Sequence, residues 1–70
     1  MIQYVVNKSL ENQQKIRIVY DNKGDITIRT ILVKKIDHNK VIAYCDLRKS
    51  QRTFLLDNML AAEFLQKEKP

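Results

Sequence analysis

The residue with the most distinctive chemistry in this chain is Arg52, which precedes Phe54 and Leu56 at alternate positions. Alternate residues of a β-strand face the same side, so Arg52 shares the phase of two apolar side chains and is expected at the rim of the core. A guanidinium that is partly withdrawn from water is stabilised by a carboxylate or a phosphate. The pattern therefore predicts either an anionic ligand at Arg52 or an internal salt bridge. Three carboxylates are candidates for that salt bridge: Asp46, Asp57 and Glu63.

Two other basic positions are candidates for the same chemistry. Arg29 shares a predicted strand face with Ile31, so the argument made for Arg52 applies to it. Arg48 lies beside Lys49 in a predicted loop, where charged, flexible side chains could contact phosphates without reading sequence; a solvated turn is the alternative. Five further basic residues are expected to solvate outer faces: Lys15, Arg17, Lys34, Lys35 and Lys40.

Two tyrosines could stack on a nucleic-acid base, an interaction that contributes about 1–3 kcal/mol per base in single-strand binders. Tyr20 is in phase with Ile16 and Ile18, which favours packing in the core. Tyr44 has the opposite phase to Val41 and Cys45, which favours exposure to a pocket, but it shares a face with Ile42, so pocket exposure and packing are both open. We therefore include Tyr44 among the predicted ligand-binding residues.

The single cysteine and the single histidine do not predict catalysis. Cys45 lies in the middle of a predicted strand, where a thiol usually packs as a small apolar group, and His38 lies in a polar turn. No third residue is placed to orient them. One cysteine also excludes an intramolecular disulfide, and one Cys with one His is too few for a structural zinc site. The sequence predicts neither an enzyme, nor a metal site, nor a cofactor.

The chain carries 13 lysines and arginines against 8 acidic residues, a net charge of +5 over 70 residues. This balance favours acidic partners, with nucleic acid first, although dispersed charge also serves solubility. No apolar run approaches the roughly 20 residues that span a bilayer, so no membrane partner is expected. The N-terminus lacks the basic start and apolar stretch of a secretory signal. With a free cysteine, these features predict a cytoplasmic protein.

Apolar periodicity predicts one helix followed by strands. Positions 2–12 place apolar side chains on one helical face, and positions 15–20 alternate as a strand. The segment 21–25, with the only glycine, predicts a hairpin turn. The strand at 26–35 changes apolar phase between Ile28 and Ile31, which predicts a bulge or a sharp bend there.

The second half of the chain predicts further short strands. A polar turn at 37–40 leads into a strand at 41–47, a loop at 48–51 and a strand at 52–56. The block 59–65 fits a helix by its alanines and a closing strand by its length. The expected fold is therefore mainly β, of the α+β class: an N-terminal helix and a strongly bent antiparallel sheet or small barrel. We expect one domain over residues 1–65 and a flexible charged tail over 66–70.

Two motifs, in this order, carry a resemblance to a known family. Ala43-Tyr44-Cys45 is followed by an Arg-x-Phe-x-Leu-Asp run that starts at Arg52 and ends at Asp57. With the residues before them, they resemble the WYL domain, a small Sm-like β-barrel of bacterial transcriptional regulators and phage-defence proteins. The earlier part of the match comprises a helix that ends at Leu10, an Ile-x-Ile-x-Tyr strand, and an arginine two places before an aliphatic residue: Ile16, Ile18, Tyr20, Arg29 and Ile31.

The chain departs from the family pattern at several positions. The namesake Trp-Tyr-Leu aligns with Asn39-Lys40-Val41, so the Trp and the Tyr are both absent. Val33 replaces the usual proline, Leu55 replaces a frequent arginine, and Asp57-Asn58-Met59 replaces Asp-Arg-Ile. Two basic or aromatic elements of the family's pocket are thus missing.

The resemblance implies an Sm-like five-stranded barrel whose last strand, 60–65, closes the sheet. It also implies binding of a negatively charged ligand, such as a nucleotide or single-stranded nucleic acid, on basic residues of the barrel. Family members usually carry a DNA-binding helix-turn-helix before this domain. These 70 residues contain no such motif, so we expect a stand-alone copy that does not read duplex DNA.

Two functional hypotheses follow from these observations. The first is a non-enzymatic regulatory module that binds a nucleotide or single-stranded nucleic acid through Arg52, Arg29 and Arg48, with Tyr44 alongside. The second is a structural or protein-interaction domain that associates with itself or with a protein partner through barrel edge strands, because unpaired edges accept further strands.

Overall fold

The helix α1 comprises Ile2–Asn12 in a computed structural model that describes residues 1–65. It buries Val5, Val6 and Ser9, the face that the apolar spacing predicted, and packs against the second and fifth strands of the sheet. The helix ends where Gln13 takes a left-handed conformation, with φ of 52°. No helix within residues 1–65 has the length and apolar character needed to cross a bilayer. The predicted tail at 66–70 lies outside the described residues.

Strands β1, Ile16–Asn22, and β2, Asp25–Asp37, form the predicted hairpin. Only Lys23 and Gly24 connect them, with φ of 55° and 89°, and positive φ at both central residues defines the tight turn that matches strand twist. The Asp21 carboxylate accepts a hydrogen bond from the Gly24 N–H at 2.8 Å. The hairpin turn predicted from the glycine is therefore confirmed.

The remaining strands are β3, Lys40–Cys45, β4, Ser50–Leu55, and β5, Met59–Phe64, with a 3₁₀ turn, Leu56–Asn58, before β5. The final block is thus a strand and not a helix. β3 is shorter than predicted, because residues 46–49 form the turn. The five strands make one antiparallel sheet in the order β4-β3-β2-β1-β5, which confirms a mainly β domain of the α+β class.

The bulge in β2 lies further along the strand than the sequence predicted. Pairing with β1 is regular through Ile31, and the register shifts between Val33 and Lys35. Ile26 and Ile28 are 54% and 65% exposed, so they are apolar residues on the solvent face and not a sign of a phase change. Exposed apolar residues are common on protein surfaces. The bulge was predicted at the wrong position because Ile26 and Ile28 were assumed to be buried.

The sheet is not closed, because β4 and β5 do not pair within the described residues. The side chain of Tyr20 connects β1 to β4 instead: its hydroxyl accepts a hydrogen bond from the Leu55 N–H at 2.9 Å. The Tyr20 ring packs edge-to-face on Phe54, with centroids 5.0 Å apart. Tyr20 is therefore a core residue, as its phase predicted.

The core lies between α1 and one face of the sheet, which we call the inner face; the opposite face is the outer face. Ser9 joins helix and sheet in this core. Its hydroxyl donates to the Gln14 carbonyl at 2.6 Å and accepts from the Val33 N–H at 3.1 Å, so the polar atoms next to the β2 bulge are satisfied. The buried apolar residues are Val5, Val6, Ile16, Ile18, Ile31, Val33, Val41, Ala43, Cys45, Phe54 and Met59.

Candidate anion-binding site

The register of β2 places Arg29 on the inner face of the sheet. Arg29 lies opposite Ile18 of β1 and two residues before the buried Ile31. Directly paired residues of an antiparallel ladder and alternate residues of one strand share a face, so all three point the same way. Arg29 is partly buried, which is the position that its phase predicted.

The Arg29 guanidinium contacts two neutral groups and no carboxylate among residues 1–65. Its Nε donates to Thr27 Oγ1 at 3.3 Å, and its Nη1 approaches Cys45 Sγ at 3.6 Å. The hydroxyl carries no charge, and the thiol sulfur is a weak acceptor. The geometry therefore leaves most of the hydrogen-bonding capacity of a partly buried cation available to an anion.

The Cys45 thiol lies in a fully buried position at the end of β3. Burial by itself raises the pKa of the thiol, but the opposing influences are larger in sum. The backbone N–H groups of Arg48 and Leu47 and the guanidinium of Arg29 stabilise the thiolate, so the pKa of Cys45 falls below its ordinary value. The same inner-face location that holds Arg29 thus favours negative charge.

Arg52 lies on β4 opposite Ala43 and two residues before the buried Phe54, so it also belongs to the inner face. Its side chain is exposed, in agreement with a position at the rim. None of the three candidate carboxylates lies within salt-bridge distance of it in the described part of the chain: Asp46 pairs with Lys15 at 3.0 Å, Glu63 pairs with Arg17 at 2.7 Å, and Asp57 forms no ion pair.

Arg48 is exposed in the turn that follows Cys45. The turn is closed by the Lys49 N–H, which donates to the Cys45 carbonyl at 2.7 Å, and Lys49 takes a left-handed conformation with φ of 55°. Because β3 ends next to Arg29 and β4 begins after this turn, the turn places Arg48 at the same end of the inner face as the Arg29–Cys45 contact.

Tyr44 lies on the other side of the sheet. Tyr44 lies between the inner-face residues Ala43 and Cys45 on β3. It pairs with Leu32 of β2 and Gln51 of β4. The ring is 37% exposed. The fold therefore places Arg29 and Arg52 on the inner face, Arg48 in the turn at one end of β3, and Tyr44 on the outer face.

The outer face contains a groove of about 340 Å³ next to β5. An ion pair crosses one side of it, with the Glu63 carboxylate accepting from Arg17 Nε at 2.8 Å. None of the four predicted site residues contributes to this groove, whose lining residues are Arg17, Val19, Ile28, Ala61, Ala62 and Glu63. The concave apolar region and the unpaired arginines are thus separate features of the molecule.

The described residues contain no group of three or more His, Cys, Asp or Glu side chains that could hold a metal ion. His38 is almost fully exposed and lies 2.9 Å from the Asp37 carboxylate of the same turn. His38 is remote from Cys45, since His38 lies in the turn that precedes β3 and Cys45 is the last residue of that strand.

Two residues of the site were not predicted as partners of Arg29. Thr27 could have been found from the sequence, because it lies two residues before Arg29 on the same strand face. Cys45 could not, since its contact depends on the register between β2 and β3, where it pairs with Ile31.

The chain matches neither a model of a known protein family nor a curated protein.

Proposed function

We propose that this chain is a non-enzymatic module that binds an anionic ligand, single-stranded nucleic acid or a nucleotide, on the inner face of its sheet. The binding residues are Arg29 and Arg52, with Arg48 at the adjoining turn. Tyr44 is left out of this set, because it lies on the outer face. The observation that carries the proposal is the partly buried Arg29, whose partners are a hydroxyl and a thiol.

The distribution of ion pairs supports this location. Three of the lysines and arginines in residues 1–65 pair with carboxylates, namely Lys8, Lys15 and Arg17. Within the same residues Arg29, Arg48 and Arg52 form no such pair. Arg29 and Arg52 lie on the inner face, and Arg48 lies in the turn after β3. A phosphate placed there gains charge-assisted, bidentate hydrogen bonds from guanidinium groups, and no internal carboxylate has to be displaced.

The chemistry favours recognition of the phosphate and not of the base. Arginines on a strand and in a turn contact phosphate oxygens and position the ligand without reading its sequence. We also propose that the sheet is an Sm-like barrel of the WYL type with one open seam. The motif resemblance supports this proposal, together with the long bulged β2, which pairs with both β1 and β3. The free thiol supports work in a reducing compartment such as the cytoplasm.

Fluorescence anisotropy with a labelled, short oligodeoxyadenylate tests the proposed function. The wild-type protein should bind at low salt and weaken as salt rises, with a log–log slope of roughly 0.7 per phosphate contact. Arg52→Gln should weaken binding and lower that slope. Arg17→Gln removes the same charge from the outer face and is the matched control. Absence of binding at low salt, or equal affinities of the two variants, contradicts the proposal.

A second candidate function rests on the open edges of the sheet. The Leu55 N–H points away from β3, toward Tyr20, and N–H groups two residues apart point the same way. The N–H groups of Gln51 and Thr53 therefore lie along the free edge of β4. β5 presents the other free edge. Edges of this kind accept a strand from another chain, so self-association or a protein partner is the alternative function.

Light scattering combined with one edge variant separates the two functions. Thr53→Pro removes an outward-facing donor from β4, and proline is tolerated at such edge positions. If the chain associates through this edge, the wild type is a defined oligomer and the variant is a folded monomer by circular dichroism. A wild-type monomer that binds the oligonucleotide in a salt-dependent manner contradicts the second function.

A further inference from the structure

We propose that Cys45 is the internal partner of Arg29, so that a thiolate at Cys45 and an anion bound at Arg29 exclude each other. This inference rests on the proposed function and adds a means of regulating the same site: the protonation state of one thiol sets the affinity for the ligand.

The geometry places both groups where a ligand would compete. Arg29 Nη1 lies 3.6 Å from Cys45 Sγ, and the sulfur sits on the inner face, because Cys45 pairs with the buried Ile31. Arg29 has one other side-chain partner, the neutral Thr27 hydroxyl. A thiolate at this distance would offset the positive charge that a phosphate requires and would hold Nη1, one of the donors of the guanidinium.

The charged groups around the pair reinforce the competition. The turn after β3 contains Arg48 and Lys49, and the backbone N–H groups of Arg48 and Leu47 stabilise a negative sulfur. On the β1 side, Lys15 neutralises Asp46 at 3.0 Å, so this carboxylate does not serve Arg29. On β4, Arg52 lies on the same face, opposite Ala43. The residues of α1 that face the core are uncharged: Val5, Val6 and Ser9.

The direction of the coupling follows from linkage. Arg29 lowers the pKa of Cys45 in the free protein, because its side chain donates a hydrogen bond to the sulfur and its positive charge stabilises the thiolate. An anion that engages the guanidinium withdraws that stabilisation and raises the pKa of the thiol. By reciprocity, ionisation of the thiol weakens binding of the anion by the same factor. Affinity is therefore highest below the pKa of Cys45 and declines as pH rises through it.

Thiolate absorbance near 240 nm tests the pair without any ligand, with a Cys45→Ser spectrum subtracted to remove tyrosine ionisation. Arg29→Gln should raise the thiol midpoint, because it removes a hydrogen bond and a positive charge beside the sulfur. Arg17→Gln, which removes an outer-face arginine, should leave it unchanged. Inorganic sulfate, at constant ionic strength, should raise the midpoint of the wild type and not that of Arg29→Gln.

Oligodeoxyadenylate binding as a function of pH tests the exclusion. Between about pH 6.5 and about pH 10 the wild-type affinity should fall at least about threefold more than that of Cys45→Ser or Cys45→Ala. The two replacements guard against loss of one variant through misfolding. A thiol midpoint that does not move in Arg29→Gln, with normal oligonucleotide binding, overturns this inference alone. Absence of oligonucleotide and sulfate binding at every pH refutes the proposed function and, with it, the exclusion.

Discussion

Two arginines on adjacent strands, Arg17 of β1 and Arg29 of β2, have opposite surroundings. Arg17 lies on the outer face, where its Nε and Nη2 approach one carboxylate oxygen of Glu63 at 2.8 and 2.7 Å. Arg29 lies on the inner face, in contact with a hydroxyl and a thiol. Within residues 1–65 the protein therefore neutralises the more exposed cation, Arg17, and places no carboxylate beside the partly buried Arg29.

Arg17 is thus a cation paired within the protein, whereas Arg29 is a cation that we propose binds a ligand. An exposed ion pair such as Arg17–Glu63 contributes about 0–1 kcal/mol to stability, and the side chains of both partners are about half exposed, 48% and 60%. A partly buried guanidinium without a full complement of acceptors costs stability in the free protein, and an anion that occupies it recovers that cost on binding. The difference between the two regions is the physical basis of the proposed site.

The largest expected effect is on ligand binding by the double variant Arg29→Gln, Arg52→Gln. Removal of both inner-face cations should weaken oligodeoxyadenylate binding by about 100-fold, equivalent to about 2.7 kcal/mol. Anisotropy titration at low salt measures this change. The double variant Arg17→Gln, Lys40→Gln carries the same net charge and is the control, since Lys40 lies at the opposite end of β3 from Cys45. Equal losses in the two double variants would show that only total charge matters.

The next effect concerns Tyr20, which bridges the two halves of the sheet. Tyr20→Phe keeps the ring packing on Phe54 but deletes the acceptor of the Leu55 N–H. Loss of one hydrogen bond at a partly buried site should lower the free energy of unfolding by about 1 kcal/mol. Urea denaturation measures it. An unchanged midpoint would mean that the bridge does not hold β4 against β1.

A smaller effect is expected when the outer-face ion pair is broken. Arg17→Ala should lower the free energy of unfolding by about 0.5 kcal/mol, less at high salt, because the pair is solvated and screened. Arg52→Ala should not lower it, since Arg52 forms no ion pair within residues 1–65. The same urea experiment compares them, and a greater loss of stability in Arg52→Ala would reverse the assignment of roles.

The smallest effect is expected at Tyr44. Because this ring lies on the outer face, Tyr44→Ser should change oligonucleotide affinity by less than about twofold, well below the 1–3 kcal/mol of a stacked base. Anisotropy measured beside Arg52→Gln is the check. A loss as large as that of Arg52→Gln would move the ligand to the outer face.

The sequence predicted the elements better than their limits. Alternation in 15–20, the single glycine in 21–25 and the apolar spacing of α1 are local signals, and each one identified the correct structure. The last block was ambiguous, because alanines favour a helix locally while β1 offered an edge for pairing; long-range pairing of Ile16 with Phe64 and Ile18 with Ala62 decided for a strand.

The phase argument predicted the faces of Arg29 and Arg52 because alternation is a property of the strand itself. It failed for Ile26 and Ile28, which are apolar and exposed, so apolar character alone did not identify the buried face. The absence of a carboxylate beside Arg52 and the approach of Cys45 to Arg29 depend on which strands are neighbours, and the local sequence does not contain that information.

The most direct test of the proposed site is an NMR titration that follows the arginine Nε–Hε resonances as oligodeoxyadenylate is added at low salt. If the ligand binds at the inner face, we expect the resonances of Arg29 and Arg52 to shift and saturate together. The resonance of Arg17, whose Nε donates to Glu63, should not shift. Movement of Arg17 with Arg29 unchanged, or no shift at any of them, would contradict the proposal that the unpaired inner-face cations bind the ligand.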